Sequence, residues 1–210
     1  MPGTGNKLIL GSRSPRRLEL LSLLIPREQI EVRAPLESTE AGFDDLQTEV
    51  EIEQRLAEIA RTKNADVAAQ PGCAGRAILT ADTVIVARDA AGNPVVLGQP
   101  PEDATWPDVV REWFREYYFG RTHAALTAVC LRLPDSSIVE RIVKSEVTFG
   151  SDGERWLDWY IATEEPRGKA GGYGLQGAAD VFVERIVKSE YRGLRARALG
   201  ELLAKAKLRH

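Results

Sequence analysis

The chain predicts an α/β fold, and three observations carry that reading. Short apolar runs alternate with amphipathic segments along most of its 210 residues. Residues 77–87 are a nearly continuous β-branched and apolar run, the pattern of a strand covered on both faces. The composition, 43% apolar and 28% charged, is that of a globular chain with a core of its own, which excludes disorder, collagen and disulfide scaffolds.

Taken in order, residues 7–10 are a short buried strand. Ser14-Pro15 opens a helix to about residue 25, since serine caps well and proline in the first helical position gives up no intrahelical bond. Leu18, Leu21 and Ile25 line one face, and Pro26 ends it. Residues 34–48 are acidic and irregular, a loop. Residues 49–64 form a second helix, with Glu49, Glu51 and Glu53 near its start and Arg61 and Lys63 near its end, the order the macrodipole favours. Residues 65–76, with Gln70-Pro71-Gly72, read as a linker. After the buried strand come a turn at 89–93 and a short returning strand at 95–97.

Residues 102–119 are helical, with Trp106, Val110, Trp113, Phe114 and Tyr117 on one stripe and Gly120 as the stop. Residues 122–133 and 137–149 are long strands joined by Pro134-Asp135-Ser136, a hairpin signal. A helix at 153–162, a glycine-rich loop at 166–177, a strand at 180–187 and a helix from about Gly193 complete one domain over residues 1–210. Residues 1–6 read as a flexible N-terminus and 206–210 as a solvated basic tail. The octapeptide VERIVKSE occurs at 139–146 and again at 183–190; one extra copy is no solenoid, and two strands in similar half-buried settings account for it.

Lysine plus arginine count 28 and aspartate plus glutamate 31, a net charge of −3. No global field holds polymeric nucleic acid or anionic lipid, so any anion must be gripped by a local cluster. Two cysteines, Cys73 and Cys130, read as free thiols; with a polar start and no apolar run near the ~20 residues of a membrane span, the expectation is a cytosolic protein.

Four places carry chemistry. Gly11-Ser12-Arg13-Ser14-Pro15-Arg16-Arg17 lies between strand and helix, where a helix N-terminus already presents partial positive charge. Arginines in that first turn are out of place unless an anion sits there. A phosphate held by arginine forks, serine hydroxyls and helix N–H groups explains them, and solvated arginines with acidic neighbours are the plain alternative. No Walker-type Gly-Lys-Ser/Thr and no strand–GxGxxG–helix unit is present. Lys63, eleven residues after Ile52, returns at about 100° per residue to that residue's face, so it extends the apolar stripe unless it snorkels out at the helix end.

Asp82 interrupts the most apolar strand. A carboxylate there needs a partner, a metal or a raised pKa, or else serves as a local cap. Glu37-Ser38-Thr39-Glu40 offers a second carboxylate for a divalent cation. Five glycines between Gly168 and Gly177 let backbone approach a ligand, with Gln176 offering a donor and an acceptor; a merely flexible loop is the alternative. His123, alone between helix and strand, reads as a structural histidine.

Jointly these motifs resemble the Maf family. Leu8-Ile9-Leu10-Gly11-Ser12-Arg13-Ser14-Pro15-Arg16-Arg17 looks like its opening signature. Ala81-Asp82-Thr83, Gly120-Arg121-Thr122-His123 with Thr127, and Glu165-Pro166 through Lys169-Ala170-Gly171-Gly172-Tyr173-Gly174-Leu175-Gln176-Gly177 follow in the family's order, over about residues 7–205. The resemblance implies a mixed β-sheet with flanking helices and a deep cleft between two lobes, related to the inosine-triphosphatase architecture. It implies a homodimer that splits a nucleoside triphosphate into NMP and pyrophosphate with a divalent metal (Mg²⁺, Mn²⁺ or Co²⁺). The Ala-Asp-Thr and Tyr-Gly-Leu-Gln-Gly forms resemble the subgroup acting on dTTP and UTP.

Carried over by position, Ser12, Ser14, Arg16, Arg17 and Lys63 would bind phosphates and Asp82 would be the general base and a metal ligand with Glu37 or, in this longer loop, Glu40. Thr83 and Gln176 would set substrate choice. Three departures stand out: Gln99 where the family has a phosphate-binding lysine, Thr80 where it has glycine, and Arg195 where it has proline. Two rival classes share features with this reading. A non-catalytic nucleotide-binding regulator of cell division would keep the arginines and tolerate Gln99, and a nucleotidyltransferase also releases pyrophosphate but places more glycines in its first loop.

Overall fold

Seven strands make one mixed sheet in a computed structural model that describes residues 7–36 and 42–187. The chain runs β1 (Leu8–Gly11), α1 (Pro15–Ser22), β2 (Ile30–Val32), α2 (Glu49–Ala69), β3 (Ile78–Arg88), β4 (Pro94–Leu97), α3 (Trp106–Trp113), β5 (Thr122–Arg132), β6 (Ile138–Phe149), α4 (Glu154–Ala162) and β7 (Val183–Val187). The spatial order is β2-β1-β3-β5-β6-β7, with β4 pairing β3 off this path. β1 is parallel to β2 and β3; the remaining ladders are antiparallel. This is the mixed α/β sheet with flanking helices that the sequence predicts.

β3 organises the molecule because its two faces bury different layers. Val84 and Val86 join Ile52, Leu56 and Ala60 of α2 on one face. Leu79 packs with Leu8, Leu10, Leu21 and Ile25 on the other, under α1. Farther along that second face Ile85 and Ala87 meet an aromatic core of Phe114, Tyr118, Phe149, Tyr160, Tyr173 and Phe182. The alternation of side chains along a strand assigns even-numbered residues of β3 to the α2 side and odd-numbered ones to the other.

Several boundaries differ from the sequence expectation. α2 runs on through Ala69, because Ala-Asp-Val-Ala-Ala is good helix sequence and Val67 is fully buried against Ile9, Cys73 and Ile78. Its start is a full capping box, Thr48 accepting from Glu51 N–H while the Glu51 carboxylate accepts from Thr48 N–H. The helix expected from residue 102 begins only at Trp106, with proline in its first turn, and ends in a π-turn over Phe114–Tyr118 before Gly120 takes φ +68°. Ala178–Phe182 is a 3-10 turn, so β7 starts at Val183. β2 is three residues long and carried no periodic signal.

The first octapeptide copy lies on β6 and residues 183–187 of the second form β7, its antiparallel neighbour, with Glu146 opposite Val187; residues 188–190 fall outside the described residues. The expected C-terminal helix, Arg195 and residues 1–6 fall outside the described residues.

Candidate active site

The sheet has a notch. β1 pairs with β3 only as far as Gly11 opposite Thr80, and β4 pairs with it only from Ile85 opposite Leu97. Residues 81–84 of β3 therefore have no strand on that edge, while their other edge is fully paired with β5. Both neighbours leave for local reasons. Ser12 N–H folds back onto Leu10 O at 3.0 Å, ending β1. Gly11 must be glycine there, since a Cβ would lie 2.6 Å from Thr80 Cγ2. At the far side Gly98 O accepts from Gly171 N–H at 2.7 Å, which turns the chain after β4 toward the glycine-rich loop.

Asp82 and Thr83 sit in this notch and point to opposite faces. On the α2 side Lys63 Nζ donates to Asp82 Oδ1 at 2.6 Å, with the two side chains 17% and 13% exposed. The lysine on the apolar stripe and the carboxylate in the apolar strand thus answer each other. Their placement is secured next door. Asn64, fully buried, donates to Ile78 O and Cys130 O and accepts from Arg132 Nε at 2.9 Å. Thr80 Oγ1 donates to Ala60 O at 2.7 Å, so this departure from the family's glycine is a bond between strand and helix. On the opposite face Thr83 Oγ1 and Thr127 Oγ1 are 3.1 Å apart.

At the β1 end, Ser12 is buried and its Oγ accepts from Ser14 N–H at 3.1 Å and from Arg17 Nη1 at 3.3 Å. Ser14 occupies the N-cap of α1 without making a side-chain cap bond, and no acid lies in the first turn. Arg16 Nη1 is buried with no hydrogen-bond partner among the described residues. A buried guanidinium nitrogen left unmatched at a helix N-terminus is the arrangement an anion completes. Gly174 lies directly against it, since a Cβ there would be 2.8 Å from Arg16 Nη1.

The glycine-rich loop is held at many points. Tyr118 OH donates to Gly171 O at 2.9 Å and Tyr160 OH to Gly172 O at 3.1 Å, where both glycines take positive φ. Tyr173 OH meets His123 Nε2 at 2.7 Å. Burial raises the Tyr160 phenol, Glu165 adds to the rise and Arg16 opposes it. Glu165 closes the loop on itself: Oε2 accepts from Ala178 N–H at 2.6 Å and Oε1 pairs with Lys169 Nζ at 3.0 Å. A Cβ at Gly177 would collide with that carboxylate.

The structure therefore joins Ser12 to Ser14 and Arg17, puts Arg16 in the same first turn of α1 against Gly174, bonds Lys63 to Asp82, and sets Asp82 and Thr83 on the stretch of β3 that borders the notch. Gln99 is exposed, two residues beyond the end of β4. Gln176 is exposed near the end of the stapled loop. Glu37 and Glu40 lie outside the described residues, though the chain leading to them is anchored by Arg13 Nη2 to Pro35 O at 3.1 Å and Leu36 N–H to Asp66 Oδ2 at 2.5 Å. Asn64, Tyr118 and Tyr160 escaped the sequence reading, and Glu165 entered it only as part of a motif, with no role. Glu165 had a visible signal, an acid placed just ahead of the glycine run; the other three had none.

A model of the family described as Maf-like protein matches residues 7–206. The chain is 33% identical over 189 residues to a dTTP/UTP pyrophosphatase of Brucella abortus, covering 88% of this chain and 83% of that one. It is 36% identical over 187 residues to a dTTP/UTP pyrophosphatase of Hyphomonas neptunium, covering 89% and 86%. In fold it resembles a HAM1 protein from Coxiella burnetii, with TM-score 0.52 and 16% identity over 95% of this chain and 99% of that one. With a family model matched over nearly its whole length and relatives at 33–36% identity, the chain belongs to the Maf family.

Proposed function

We propose that this protein hydrolyses dTTP and UTP to the monophosphate and pyrophosphate. The observation that supports it best is Arg16 Nη1 at the head of α1, a buried guanidinium nitrogen with no partner among the described residues, a few residues after the Gly11–Thr80 rung that borders the notch of the Lys63–Asp82 pair. An anionic tail at Arg16, Arg17 and the serines leaves the α-phosphorus toward Asp82. The relatives named as dTTP/UTP pyrophosphatases support the choice of nucleotide.

In this reading Asp82 accepts a proton from water as the water oxygen bonds to the α-phosphorus. The α-phosphorus–oxygen bond to the β-phosphate breaks, and pyrophosphate leaves against Arg16, Arg17 and Lys63. Gln99 and Ser14 complete the phosphate contacts, and Thr83 with Gln176 face the base. The expected metal fits in part: Lys63 engages Asp82 through Oδ1, no described residue bonds Oδ2, and no group of three acids, histidines or cysteines is gathered among the described residues. Asp82 with Glu37 or Glu40 would hold a divalent cation (Mg²⁺, Mn²⁺ or Co²⁺), which supplies charge neutralisation of the triphosphate when bound.

The same reading carries a homodimer in the cytosol. Two free, buried cysteines support a reducing compartment, and no helix among the described residues is long and apolar enough to cross a membrane. A panel of nucleotides, assayed for orthophosphate with and without added inorganic pyrophosphatase, tests the activity. Signal that appears only with the added enzyme, for dTTP and UTP, is the expected result. Direct release of orthophosphate overturns it. Tight nucleotide binding without turnover favours the regulator, a reading that the uncharged Gln99 supports.

A further inference from the structure

The backbone of the notch has its own chemistry. A strand residue turns its N–H and C=O to one side, and the sides alternate along the strand. Ile9 N–H donates to Ala77 O at 2.9 Å at one end of β3, and Asp89 N–H donates to Asn93 O at 3.0 Å at the other. Odd-numbered residues of β3 therefore face the β1 and β4 edge. Thr80 opposite Gly11 is the last β1 rung, and Ile85 opposite Leu97 is the first β4 rung. Between them Ala81 C=O, Thr83 N–H and Thr83 C=O have no partner among the described residues, and both residues are partly exposed.

The size and polarity of this gap select an occupant. Two residues of strand span roughly 7 Å, too short for an added peptide strand but enough to face the adjacent donor and acceptor of one base edge. Two of the three groups are carbonyl oxygens and Asp82 lies between them in sequence, so an anion is repelled. A neutral group with a donor beside an acceptor is matched. The tail-binding groups occupy the β1 end, and the Thr83 side chain flanks the gap on the face opposite Asp82.

We propose that the open edge of β3 at residues 81–83 is the subsite for the pyrimidine's hydrogen-bonding edge. The N3–H donates to Ala81 O or Thr83 O, and an adjacent ring carbonyl accepts from Thr83 N–H. This rests on the reading of the substrate as a pyrimidine triphosphate, and it assigns the base to main-chain atoms where the family resemblance points to the side chains of Thr83 and Gln176.

The test compares dTTP with N3-methyl-dTTP, which lacks the donor, in the unaltered protein, Thr83→Ala and Gln176→Ala. Both kcat/KM and calorimetric affinity are measured. The expected result is a preference of about ten-fold or more for dTTP, retained in both variants because their main chains are unchanged. Equal treatment of the two nucleotides overturns the proposal, as does loss of the preference in either variant, which would hand N3 to a side chain. Retained binding preference without pyrophosphate release overturns only the pyrophosphatase reading, hydrolysis without preference overturns only the subsite, and no binding of either nucleotide overturns both.

Discussion

Lys63 Nζ and Asp82 Oδ1 meet at 2.6 Å across the face between α2 and β3, two residues that each break an apolar pattern. Asp82→Asn keeps the shape and removes the proton acceptor. Turnover of dTTP is expected to fall about 10²- to 10⁴-fold, the usual worth of general-base assistance, while nucleotide binding persists. Single-turnover pyrophosphate release beside calorimetric binding checks this. Turnover within a few-fold of the unaltered protein would remove Asp82 from the role of base.

Glu165 staples the glycine-rich loop by accepting from Ala178 N–H and pairing with Lys169. Hydrogen bonds to charged groups contribute about 1.5–3 kcal/mol each, so Glu165→Ala is expected to loosen the loop that carries Gln176 and Gly174. The outcome is faster proteolysis within residues 166–177 and at least a ten-fold loss of kcat/KM for dTTP, with Glu165→Gln intermediate. An unchanged cleavage pattern would mean that the three tyrosine contacts alone hold the loop.

Much of this site is legible in the sequence because its signals are local violations. Arginines at a helix N-terminus, a carboxylate in the most apolar strand and a lysine on the apolar stripe each contradict their own element, and the fold resolves two of them by pairing Lys63 with Asp82. What escapes is set by register and by distant partners. Where β1 and β4 stop along β3 depends on Ser12 folding back and on Gly171 capturing Gly98 O, neither of which has a periodic pattern. Tyr118 reaches Gly171 across 53 residues, so its role reads in sequence only as an aromatic on a helix. The Pro71-Gly72 turn hid the last turn of α2, although Val67 is among the most buried residues of the chain.

His123 is the group whose burial should be felt in acid. It is 3% exposed, its Nδ1 has no partner among the described residues, and burial pushes its pKa down to about 3 from 6.5. The folded state keeps the ring neutral while the unfolded chain takes up a proton below pH 6.5. Stability is therefore full above that pH and declines as pH falls toward 3, by about 2 kcal/mol between pH 7 and pH 5 from this residue alone. Urea unfolding at the two pH values, repeated with His123→Gln, isolates the contribution. The variant should lose less stability on acidification, and an identical loss would assign the acid sensitivity elsewhere.

Gln99 is exposed two residues past the end of β4, at the position where the family resemblance expects a lysine directed at the phosphates. Gly98 O is fixed by Gly171 N–H, so a substitution at 99 alters the side chain on a backbone already positioned. A charge-assisted bond is worth roughly twice a neutral one, about 1–2 kcal/mol more for an anionic tail. By tenfold per 1.4 kcal/mol, Gln99→Lys should raise kcat/KM for dTTP and UTP about ten-fold. The gain should shrink with added salt, as a charge on an exposed turn requires, and melting temperature should hardly move. An unaltered or lower kcat/KM would mean that residue 99 does not reach the phosphates, or that another cation already fills the role. Arg88 and Arg121 are the first to substitute in that case. A gain for nucleoside triphosphates that is absent for monophosphates would locate the new charge at the tail rather than at the base.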